Sequence, residues 1–140
     1  MASNRLRPDK VKKRRVLFDS SFLISVMERP TPWLEDILEK VGGFEPVVIT
    51  PVYAELERLA AGRGRGARFA SLAKQLADSG ALKVENTGGE RADDELISRA
   101  LDDGALVATV DSALIEQLKA SRVGVVRLRG GRVELEGPLS

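Results

Sequence analysis

Three aspartates of the 140-residue chain head the same pattern: Asp19 is followed by Phe22, Leu23 and Val26, Asp93 by Leu96, Ile97 and Ala100, and Asp111 by Leu114, Ile115 and Leu118. Offsets of three, four and seven trace one face of an α-helix, so each carboxylate heads an apolar stripe and faces the domain rather than bulk water. Glu55 flanks a fourth stripe, Val52, Leu56 and Leu59, while its neighbour Glu57 turns toward solvent. Taken singly, each aspartate fits a helix N-cap, and Glu55 fits a surface residue paired with Arg58. Taken together they pose a different problem. Carboxylates that converge on one partly buried spot repel and lose solvation unless something positive neutralises them.

The rest of the composition narrows the chemistry. With no histidine and no cysteine, the chain has no Ser-His-Asp or Cys-His catalysis, no disulfide and no ordinary zinc site. Oxygen ligands remain, and they suit Mg²⁺ or Mn²⁺, ions that favour carboxylates and water and serve phosphate-ester hydrolysis. Ser20, Ser21, Thr109 and Ser112 place hydroxyls beside the acids, where they would orient water at such an ion or cap the helices.

Elements that alternate in type must position these residues. VLF (16–18) reads as a buried strand, 20–27 as a helix broken by Pro30 and Pro32, and 33–41 as a second helix stopped by Gly42 and Gly43. PVVIT (46–50) reads as a strand, with Thr50 as N-cap and Pro51 as first residue of a helix reaching Ala61. GRGRGAR (62–68) is a basic turn, followed by a helix over 67–78, a strand over 82–85, the loop NTGGE and a helix over 92–103. ALVATV (105–110) is a strand, 111–121 a helix, 123–128 a strand, and RGGR turns the chain into VELE as an edge hairpin. Strands alternating with helices imply an α/β three-layer sandwich with a mostly parallel central sheet. Asp19 and Asp111 each follow a strand directly, and so belong at the carboxyl edge where open parallel sheets bind ligands.

LFDSSFLI (17–24), TPVYAELERL (50–59), ADDELISRAL (92–101) and ATVDSALIEQL (108–118) resemble, in this order, the four acidic motifs of PIN-domain nucleases, over about residues 16–128. AELERL, the basic turn before a helix, ADDELI and ATVDSAL look similar to the ribosome-biogenesis PIN nucleases of the eukaryotic small-subunit processome and their archaeal relatives. VapC toxins of toxin–antitoxin pairs resemble the chain more loosely. The resemblance implies that Asp19, Glu55, Asp93 and Asp111 bind Mg²⁺ or Mn²⁺ and activate water to cut single-stranded RNA. Asp94 competes with Asp93 for the third place, but Asp93 lies on the axis of its stripe and Asp94 about 100° away, suited to a supporting role. Ser20 stands where that family more often has threonine.

The net charge of +1 hides an asymmetry: residues 1–15 hold seven Lys/Arg against Asp9, a net +6 that leaves −5 on the body. The expected organisation is a basic tail over 1–15 and a single domain over 16–140. Arg63, Arg65 and Arg68 in the glycine-rich turn are candidate phosphate contacts, with the tail, Arg58, Arg127, Arg129 and Arg132 as further ones. No apolar run approaches the roughly 20 residues of a membrane span. The expectation is a soluble cytoplasmic endoribonuclease of ribosomal RNA processing, with RNA as partner and no membrane. A homodimer, by analogy, and a ribosome-assembly factor or an antitoxin complete the expected partners. The alternatives are a VapC-type toxin and a scaffold that keeps the fold and binds RNA or protein without cutting.

Overall fold

The computed structural model describes residues 13–138, so the expected tail lies outside the described residues as far as Lys12. Arg14 and Arg15, counted with that tail on composition, are the first residues of strand β1 (Arg14–Phe18). Arg15 shows why charge belongs there. Its guanidinium reaches Glu45 at 3.1 Å, Glu85 at 2.6 Å and Asp103, joining β1 to the next two strands on one side of the sheet and to the end of a helix.

Helices α1 (Ser20–Glu28) and α2 (Trp33–Val41) follow, then β2 (Phe44–Ile49), α3 (Thr50–Ala60), α4 (Arg65–Asp78) and β3 (Lys83–Glu85). The chain continues through α5 (Ala92–Asp103), β4 (Leu106–Ala108), α6 (Ser112–Ala120), β5 (Val125–Arg129) and β6 (Arg132–Glu136). The strands form one sheet in the order β3-β2-β1-β4-β5-β6, parallel throughout except where β6 folds back on β5. This is the mostly parallel three-layer α/β arrangement that the alternation of elements implies. Successive crossovers run outward from β1 to β3, then return across the sheet to β4 and β5. Right-handed connection therefore puts α1, α3 and α4 on one face and α5 and α6 on the other. The carboxyl ends of β1 and β4, adjacent strands whose connections leave in opposite directions, form the topological switch point where such sheets open a crevice.

The core is the union of the apolar stripes. Val16, Leu17 and Phe18 of β1, Phe22 and Leu23 of α1, Leu96 of α5 and Leu114 and Leu118 of α6 are all fully buried. Phe18, Phe22 and Trp33 pack edge to face with ring centroids 5.4–6.1 Å apart, directly beneath the start of α1. At the far edge, buried Asp36 of α2 takes a bidentate grip from Arg132 of β6 at 2.7 and 2.8 Å and a bond from the Val133 amide. These bonds, with the Arg132 side-chain hydrogen bonds the largest cause, hold the Asp36 carboxyl down at about 2.

Three local expectations are corrected. Thr50 is the first residue of α3 rather than its cap; Ile49 holds the cap position, and the Thr50 hydroxyl instead accepts from the Thr87 amide at 3.1 Å. That bond ties α3 to the loop after β3, an option for a hydroxyl that local sequence does not reveal. The basic turn is shorter than expected, because α4 begins at Arg65 after Gly64 takes φ +90°, a conformation that glycine adopts freely. Strand β4 ends at Ala108, two residues short of the expected Val110, although the Thr109 amide still donates to the Val126 carbonyl of β5 at 3.0 Å. Among the described residues no helix is long and apolar enough to cross a membrane.

Candidate active site

Backbone register fixes the first part of the site. Phe18 pairs with Ala108 across β1 and β4, and the Asp19 amide then donates to the Ala108 carbonyl at 2.9 Å. Asp19 and Thr109 are thereby held side by side where both strands end. Asp19 occupies the cap position of α1, but its carboxylate caps nothing. Its Oδ2 accepts instead from Ser21 Oγ at 2.6 Å and from Thr109 Oγ1 at 2.8 Å. Ser21 and Thr109 also lie 3.1 Å apart, and the Val110 amide donates to Ser21 Oγ at 3.2 Å.

Asp19 is only 5% exposed. Burial pushes its carboxyl above the ordinary aspartate value, the two hydroxyl bonds pull partly back, and the charge of Glu55 pushes it up again. Glu55 arrives from α3, one and a half turns past the end of β2, and its Oε1 accepts from Ser20 Oγ at 2.9 Å. Asp93 stands in the first turn of α5. Its carboxyl is likewise raised, first by burial and then by the charges of Asp19, Asp111, Glu55 and Asp94. The four acids named from their stripes therefore meet electrostatically at one sheet edge, brought there by four different helices. No group of three or more acidic side chains among the described residues is close-set enough to hold an ion as it stands.

The supporting residues divide. Thr109, Ser20 and Ser21 bond directly to the acids, whereas Ser112 is exposed as the first residue of α6 and stands apart from this hydroxyl network. The reason is that Asp111 Oδ1 takes the capping role itself, accepting from the Leu114 amide at 3.1 Å. Asp111 is exposed, and its amide is held by Thr109 Oγ1 at 3.1 Å. Asp94 turns outward and pairs with Arg91 at 3.1 Å, as expected of a residue about 100° off the stripe.

The candidate phosphate contacts do not all reach this edge. Arg65 pairs with Glu28 at 3.2 Å, the last residue of the helix whose first residue, Ser20, lies at the acids. Nine residues of helix separate the two by about 12 Å. Arg63, Arg65 and Arg68 thus sit at the opposite end of the α3–α4 hairpin, because a helix that starts at the carboxyl edge must finish at the other. Arg127 and Arg129 are engaged by Glu134 and Glu136 on β6, and Arg132 by Asp36. What does reach the acids is a cleft of about 410 Å³ between the first turns of α3 and α5, lined by Glu55 and Arg58 on one side and by Arg91 and Asp93 on the other. Arg91 was not a candidate on sequence, although its position three residues before Asp94, ahead of an acidic first turn, marks it as a helix-start partner.

A family model described as a PIN-like domain matches residues 16–131. No curated protein matches the chain significantly. Among solved structures, the chain is similar to the PIN domain endonuclease Utp24, at 20% identity and a TM-score of 0.74, with 89% of this chain and 92% of that one covered. It is similar also to a domain of a functionally unknown protein from Methanocaldococcus jannaschii, at 19% identity and a TM-score of 0.54, covering 91% of this chain and 99% of that one. Both likenesses are likenesses of fold. With its acids gathered where β1 and β4 part and the family match running almost the whole length of the described chain, the protein belongs to the family of PIN-like domains, and its fold is that of PIN nucleases.

Proposed function

We propose that this chain is a Mg²⁺- or Mn²⁺-dependent endoribonuclease acting on single-stranded RNA, with ribosomal RNA maturation as its setting. The observation that carries the reading is Asp19: a buried carboxylate, unused as a cap, whose ionised form is made costly by burial and then by the charge of Glu55, and whose own charge in turn bears on Asp93. An Asp that served only to start a helix would cap it with a side-chain oxygen, and Asp19 does not. An all-oxygen donor set fits a hard dication and suits no softer metal.

On this reading Asp19, Glu55, Asp93 and Asp111 hold the ion. Such an ion, when bound, lowers the pKa of its water and stabilises the charge that develops on phosphodiester oxygens. Ser21 and Thr109 fix Asp19 by occupying Oδ2, which leaves Oδ1 as the coordinating oxygen. Ser20 steadies Glu55. Glu55 and Asp93 are part-exposed on the cleft walls, able to rotate inward when positive charge offsets their repulsion. Asp94, paired with Arg91 and largely exposed, shapes the field without binding the ion. The ribosomal setting rests on the resemblance of the AELERL, ADDELI and ATVDSAL segments to the ribosome-biogenesis branch.

The test is cleavage of a single-stranded RNA substrate with Mn²⁺, with EDTA, and with Asp19→Asn. Internal cuts in the first case and a loss of at least about 100-fold in the other two are expected, since an electrostatic element of this kind is worth that much. Cleavage that survives both treatments rules the reading out.

A further inference from the structure

The cleft between α3 and α5 carries two guanidiniums that the metal site does not use. Arg58 stands on the α3 wall and Arg91 on the α5 wall, facing the same space of about 410 Å³. Among the described residues each has one ion pair, a local one: Arg58 Nη2 to Glu55 Oε2 at 3.5 Å on α3, and Arg91 Nε, at the cap position of α5, to Asp94 Oδ2 at 3.1 Å. Their side chains are 69% and 84% exposed, and ion pairs that exposed are weak and readily exchanged. A phosphodiester offers a better partner, because the planar fork of arginine matches two phosphate oxygens at once. The first turn of α5 opens on the same cleft and adds the positive end of a 12-residue helix.

The lining also contains Glu55, Glu90 and Asp93, so the cleft as a whole is no general anion trap. Its charge is graded. Glu55 is bonded to Ser20, and Asp93 feels Asp19 and Asp111, which sets these two acids toward the metal side. The arginines are the more exposed groups and sit toward solvent. A strand whose reacting phosphate lies at Asp19 would carry its adjacent phosphate outward along this gradient.

We propose that Arg58 and Arg91 form a two-sided clamp for a non-scissile phosphate of single-stranded RNA, one that sets the strand's register over the acids. The proposal rests on the nuclease reading for the identity of the strand. RNA is preferred to an acidic peptide because only a phosphate chain supplies both the anion for the clamp and the reacting group for the acids.

The experiment is fluorescence-anisotropy binding of a labelled single-stranded RNA across a salt series, in the Asp19→Asn background, with and without Arg58→Gln and Arg91→Gln together. The double substitution is expected to weaken binding severalfold and to reduce the slope of log K against log salt by about 0.7, the share of one phosphate contact on a single strand. Unchanged affinity and slope would overturn the clamp. In the otherwise intact chain, the double substitution should lower kcat/KM on a longer strand far more than on a dinucleotide, which has a single phosphate. Equal losses on the two substrates would place the arginines on the reacting phosphate and overturn the proposal as stated. Should the intact chain cut no RNA at all, the nuclease reading fails while the binding series still decides the clamp. An unshifted thermal midpoint, expected for side chains this exposed, separates loss of contact from loss of fold.

Discussion

At Asp19, burial and neighbouring charge work against ionisation while two hydroxyls work for it, and the first two win. A carboxyl raised in the folded state keeps its proton to higher pH than it does in the unfolded chain. Stability therefore falls as pH climbs past the ordinary value of 3.8 and levels off above the raised folded value. Asp19→Asn removes that penalty. Without metal, the variant should match wild type in acid and have the higher thermal midpoint at neutral pH; a gap of constant size from acid to neutral would contradict the assignment. Asp93 and Asp94 offer a sharper contrast. Asp93→Asn should cost about 100-fold or more in RNA cleavage, and Asp94→Asn less than about tenfold, because Asp93 lies in the field of the other acids while Asp94 turns outward to Arg91. Comparable losses in a single-turnover assay would return Asp94 to contention. The stripes made these acids legible, since an offset of three, four and seven is geometry as well as sequence. The division of labour among the hydroxyls was not: Ser20, Ser21 and Ser112 read alike, and only the register of β1 against β4 decides which ones meet an acid.

At the scale of elements, the site is a consequence of where strands stop. β1 ends at Phe18 and β4 at Ala108, neighbours in register, and the two residues that follow them are tied by one hydroxyl bond. Beneath them the Phe18, Phe22 and Trp33 rings hold α1 at the angle that delivers Asp19, Ser20 and Ser21 together. Phe22→Ala empties a fully buried position and should cost about 3–5 kcal/mol by chemical denaturation. A loss below about 1 kcal/mol would mean that the aromatic cluster does not support α1. Helix and strand identities were readable from periodicity almost throughout, including the antiparallel hairpin at the edge. Boundaries failed where a side chain found a distant partner, as Thr50 did with Thr87 and Arg15 with Glu85. The basic turn failed for a different reason. Composition shows that arginines cluster there, but which end of α3 they occupy depends on the direction of the helix.

For the whole molecule, an open parallel sheet with a single switch point concentrates acidic charge at one edge, where, among the described residues, the one cation paired with Glu55 is an exposed arginine at 3.5 Å and Asp19 is held by hydroxyls. Family membership accounts for the arrangement, and a hard dication is the simplest partner that would offset it. The central claim is that the four acids exist to hold such an ion, and it can be tested without any nucleic acid. Calorimetric titration of the wild-type chain with Mn²⁺, repeated with Asp19→Asn, measures it directly. Saturable binding to wild type alone is expected, with thermal unfolding shifted as for about 2.7 kcal/mol of stabilisation at a hundredfold excess over Kd. Identical titrations for the two proteins, or no heat from either, would contradict the account.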